Sequence, residues 1–83
     1  MTLEQIIITS IIEESPNNNY ACLHKKGNIS LYKIVKPYGN GVPYYLLNCY
    51  YIVFSPHKFN RFNDYNQALS HYVYLLENGD INA

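Results

Sequence analysis

The sequence predicts a single α+β domain spanning residues 1–83: an N-terminal helix, a three-stranded antiparallel sheet and a C-terminal amphipathic helix packed on that sheet. Three observations carry the prediction. A helical apolar period runs from Tyr65 to Leu76, a nearly unbroken apolar and aromatic run extends from Tyr44 to Phe54, and a glycine turn at Lys26-Gly27-Asn28 separates two extended segments. A chain of 83 residues supports one hydrophobic core and not two, because smaller units bury too little apolar surface to offset chain entropy.

The first segment, Thr2 to Glu14, fits either a helix or a strand. Thr2 and Gln5 match a capping box, and Pro16 matches a stop. Its isoleucines spread around the helical wheel, and isoleucine also suits strands. Helix is favoured, with burial on more than one side; Asn17-Asn18-Asn19 then reads as a loop. Tyr20–Lys25 and Asn28–Lys36 form a hairpin about Gly27, and residues 36–43, with Gly39, Gly41, Pro37 and Pro43, read as a second turn. Tyr44–Phe54 reads as a central strand covered on both faces, or as one that bends at Asn48-Cys49. Ser55-Pro56-His57-Lys58 ends it. Asn63 or Asp64 then caps a helix whose apolar face is Tyr65, Ala68, Leu69, Tyr72, Leu75 and Leu76, and Gly79 marks its stop.

Only 14% of residues are charged, against about 25% in ordinary domains. Eleven Asn and ten Tyr supply polarity instead. The charges are segregated. Residues 1–14 carry Glu4, Glu13 and Glu14 without a cation, and residues 64–83 carry Asp64, Glu77 and Asp80 without a cation. Between them, Lys25, Lys26, Lys33, Lys36, Lys58 and Arg61 lie in a span with no acid, so a formal net charge of +0 conceals a basic middle. Two readings follow. Acidic helices can complement a basic sheet within one fold, or the sheet and its loops can present a positive face that steers an anionic partner. Tyr20, Tyr32, Tyr38, Tyr44, Tyr45, Tyr50 and Tyr51 share the basic span, and alternation sends one of each tyrosine pair to each face. Tyr38 in the turn and Tyr74 on the outer helix face are the exposed candidates. The expected partner-binding residues are Lys25, Lys26, Lys33, Lys36, Tyr38, Lys58, Arg61 and Tyr74.

The residues needed for catalysis do not assemble by spacing. Gly39-Asn40-Gly41 lacks the strand-to-helix context of a phosphate loop. His24, His57 and His71 have no carboxylate or thiol partners at metal-ligand spacing beyond Cys22-x-His24. Cys22 and Cys49 read as reduced thiols buried in strands. No enzyme, no cofactor and no metal are expected. The apolar run Ile6–Ile12 is too short to cross a bilayer and is flanked by Glu4 and Glu13, so no membrane segment is expected and the expected location is the cytoplasm.

The helix–strand–strand–strand–helix order resembles the layout of the double-stranded-RNA-binding domain. That family grips phosphate with lysines at the start of its second helix; Asn63, Asp64, Tyr65 and Asn66 stand there in this chain, so no RNA-binding residue carries over. In format, a short domain rich in Asn, Ile, Lys and Tyr and free of catalytic motifs is similar to the small phage and mobile-element inhibitors, anti-CRISPR proteins among them. That resemblance implies an inhibitor docking a larger nucleic-acid-handling protein. Three functions are therefore expected to compete: a non-enzymatic protein-binding module using the basic, tyrosine-rich surface, a small nucleic-acid binder using the same cations on phosphate, and a homodimer pairing through the tyrosine-rich strand.

Overall fold

The computed structural model describes residues 2–14, 18–36 and 48–78. Its elements, in chain order, are α1 (Leu3–Glu14), β1 (Asn19–Lys26), β2 (Ile29–Lys36), β3 (Asn48–Phe54), β4 (Phe59–Phe62) and α2 (Tyr65–Glu77). The strands form one antiparallel meander in the order β1-β2-β3-β4. The α+β class and both helices follow the expectation, and the sheet has four strands where three were expected. The added strand arises because Ser55–Lys58 is a tight reversal and not an ending. The Ser55 N–H donates to the Lys58 carbonyl at 2.9 Å and its hydroxyl to the same oxygen at 3.1 Å. The turn lays Phe59 beside Phe54 and Arg61 beside Ile52.

Segment 2–14 is a helix and not a strand. Thr2 and Gln5 close a reciprocal cap, with the Gln5 N–H donating to Thr2 Oγ1 at 3.2 Å and the Thr2 N–H to Gln5 Oε1 at 2.9 Å. At the other end, buried Asn18 donates through Nδ2 to the Ile11 carbonyl at 2.7 Å, satisfying one acceptor that the helix terminus leaves open. Asp64 caps α2 as expected, accepting from the Gln67 N–H at 3.1 Å. The Gly79 stop lies outside the described residues, as do residues 37–47 of the expected glycine-rich turn and the first part of the expected central strand.

Strand alternation sends the apolar side chains to both faces. On one face, Ile34, Tyr50, Ile52 and Phe54 meet Ile8 and Ile11 of α1, with Tyr32 and Ile7 beside them. On the other, Ile29, Leu31 and Val53 meet Ala68, Tyr72 and Leu75 of α2, flanked by Tyr65, Leu69 and Leu76. All six positions of the expected α2 face therefore pack on the sheet. The continuous apolar run of β3 has the same cause: a central strand with a helix on each side has no solvent face on which to place polar residues.

Candidate functional site

The β1–β2 turn and the β3–β4 turn lie at the same end of the sheet, because Lys25, Ser30, Phe54 and Phe59 stand in one row across the four strands. Gly27, with φ 60°, closes the first turn in the left-handed region. This end carries Lys25 and Lys26 on one side, His57 and Lys58 on the other, all exposed. The outer strands of such a row are separated by roughly 14 Å. An open cleft of about 300 Å³ lies between, lined by Thr2, Leu3 and Glu4 of the α1 N-terminus and by Asn28, Phe54 and Pro56, among others.

Glu4 organises the inner wall of this end. Its Oε2 accepts from the Tyr32 hydroxyl at 2.5 Å and from the Ser30 hydroxyl at 3.2 Å, while Oε1 lies 3.7 Å from the Lys25 Nζ. At the far end of α1, Lys36 Nζ donates to Glu14 Oε1 at 2.8 Å. Two acids of the N-terminal segment thus bind two cations of the basic middle, one at each end of the helix. Charge segregation in the sequence is in this part the complementarity of a helix and the sheet beneath it.

Burial holds the Tyr32 hydroxyl well above its ordinary value of 10.0, and the hydrogen bond to Glu4 and its charge push the same way. Tyr72 is raised by burial first and then by Cys22. A tyrosine that ionises later in the folded chain than in the unfolded one contributes stability that is fully present below about pH 10 and is lost as pH rises beyond it. The melting temperature is therefore expected to fall as pH rises above about 10, and less steeply in Tyr32→Phe. Equal slopes for the two proteins would contradict the Glu4–Tyr32 assignment.

The expected binding residues do not form one surface. Lys25, Lys26 and Lys58 share the turn end. Lys33 is half-buried and sits in register with Ala21 and Tyr51, on the face that α2 packs against, while Lys36 lies at the other end of β2, held by Glu14. Arg61 is on β4 with its guanidinium 4.0 Å from the centre of the Tyr50 ring, a cation–π contact that ties the fourth strand to its neighbour. Tyr74 is 56% exposed on α2, ring-stacked with His71. Tyr38 lies outside the described residues.

The described tyrosines of the central strand go inward. Tyr50 is buried against α1, and Tyr51 packs edge-on to Tyr65 at 5.6 Å between ring centres. Strand β3 also has β2 and β4 on its two sides, so it offers no edge for pairing across a dimer. Cys22, expected in the core, is exposed on β1, because that strand lies at the sheet's border; Cys49 is half-buried, and both are free thiols. Sequence reasoning passed over His57 and Glu4, since their roles depend on a turn and on a contact spanning more than twenty residues.

Among the described residues no helix is long and apolar enough to cross a membrane. No known protein family, curated protein or solved structure matches the chain.

Proposed function

We propose that the chain is a non-catalytic protein-binding module that docks the turn end of its sheet onto an acidic surface of a larger protein. The observation that carries this reading is the convergence of Lys25, Lys26, His57 and Lys58 at one end, drawn from a span of sequence without an acid. Lys26 is paired in the sheet opposite Ile29, and the Lys58 carbonyl is held by the Ser55 N–H, so little backbone order is lost when they engage carboxylates. A nucleic-acid-handling enzyme exposes such carboxylates where it holds its divalent metals, and a cationic tip seated there excludes metal and substrate together. That is the inhibitor form of the proposal.

A protein partner is favoured over nucleic acid by α2, whose N-terminus carries the Asp64 carboxylate where phosphate would need a donor. The test is the double variant Lys26→Glu/Lys58→Glu, compared with the native chain for retention of a purified acidic partner protein at two salt concentrations. The native chain is expected to bind more weakly as salt rises, and the variant to lose binding at least tenfold, consistent with two steered charge contacts reversed. Micromolar binding of single- or double-stranded oligonucleotides with a steep salt slope would overturn the proposal in favour of a nucleic-acid binder.

A further inference from the structure

We infer that strand β1 is a self-complementary edge through which two copies of this chain pair antiparallel, joining their sheets across a two-fold axis. The edge shares Lys25 and Lys26 with the turn end but rests on strand pairing alone, independently of the proposed function.

Strand β1 hydrogen-bonds to β2 and, among the described residues, to no other strand. All eight of its residues are exposed, including Tyr20 at 46% and Leu23 at 38%. A long border strand presents a row of backbone donors and acceptors that template another strand. The residue content of β1 points to its own copy as that strand. A two-fold through its midpoint pairs Tyr20 with Lys25, Asn19 with Lys26, and Ala21 with His24 of the other copy. No like charges then stand opposite one another, and each lysine meets a neutral side chain, with Tyr20 offering Lys25 an aromatic face.

The bulge makes this register possible. Pairing to β2 slips between Cys22 and His24, so Leu23 is the extra residue. In an unbroken strand, residues 20 and 25 would point to opposite faces; the slip puts Tyr20 and Lys25 on the α1 face and Asn19, Ala21, His24 and Lys26 on the other, in phase for every pair. A formal net charge of +0 adds no long-range repulsion between copies.

The register also brings the two Cys22 residues together at the axis, with Cα atoms roughly 6 Å apart, a span that a disulfide bridges. The experiment combines sedimentation with cross-linking of the full chain. The native protein is expected to sediment as a dimer at sub-millimolar concentration. Diamide, which takes up two electrons and two protons as two thiols become one disulfide, is expected to link copies through Cys22, with Cys22→Ser abolishing the link and Cys49→Ser leaving it. Asn19→Lys sets like charges opposite Lys26 twice and should raise the dimer dissociation constant about two- to thirty-fold. Adding Lys26→Glu to it should restore association. A chain that remains monomeric at millimolar concentration overturns the inference, even if an added acidic peptide then pairs with it. So does a dimer that Asn19→Lys leaves unchanged and that diamide does not link through Cys22.

Discussion

Replacing Phe54 by alanine is expected to destabilise the chain by about 3–5 kcal/mol. Phe54 is 2% exposed and stands where the α1-side core meets the turn end of the sheet. Its ring receives Tyr32 edge-on at 5.5 Å and 90°, and Phe59 lies 6.0 Å away on β4. Truncation removes both aromatic contacts and opens a cavity that a β-strand side chain cannot collapse to fill. A domain of this size has only about 4–12 kcal/mol of total stability, so the loss is a large share of it. Phe59→Ala, at a position 42% exposed, should cost under about 1.5 kcal/mol. Urea denaturation followed by circular dichroism separates the two, and equal midpoints would refute the placement of Phe54 in this core.

Glu4→Ala is expected to cost about 2–4 kcal/mol, against about 0.5 kcal/mol or less for exposed Glu13→Ala. The difference comes from what each carboxylate serves. Glu4 accepts from two hydroxyls, one of them the Ser30 hydroxyl, which is 1% exposed, so removing the carboxylate strips two part-buried donors of their shared acceptor. Lys25 adds little, because an ammonium whose side chain is 58% exposed is resolvated readily. Glu4→Gln retains an acceptor oxygen and should recover most of the loss. Hydrogen exchange should also rise selectively along α1, since Glu4 ties the helix's first turn to β2. If Glu4→Ala lowers the melting temperature no more than Glu13→Ala does, the shared-acceptor role is wrong.

How much of this was legible in the sequence differs by element. Helix α2 was readable down to its cap, because Asp64 and Gln67 stand at capping distance and six apolar residues fall on one stripe. Helix α1 was ambiguous because its isoleucines are not confined to a stripe: Ile8 and Ile11 are buried, whereas Ile6 is 46% exposed. Strand β4 was missed for a physical reason. Four residues, Phe59-Asn60-Arg61-Phe62, are too few to show a period, and they form a strand because a turn places them against β3. The segregation of charge was plain, but its meaning was not. Whether Lys25 and Lys36 face a partner or the chain's own glutamates depends on α1 lying along β2, a contact between residues more than twenty positions apart. The exposure of Cys22 was likewise invisible, since a strand's sequence does not state whether it is central or at a border.

The meander order has one consequence for how the molecule is made. Every strand pairs with the strand preceding or following it in the chain, whereas both helices pack on β2 and β3. The strand pairings are therefore short in sequence separation, and little loop-closure entropy is spent before each one is rewarded, while the helix–sheet contacts are long-range. A growing chain can add this sheet one strand at a time as it leaves the ribosome. The last strand and α2 complete the second layer, which leaves the Ile29, Leu31 and Val53 face uncovered until α2 has been made.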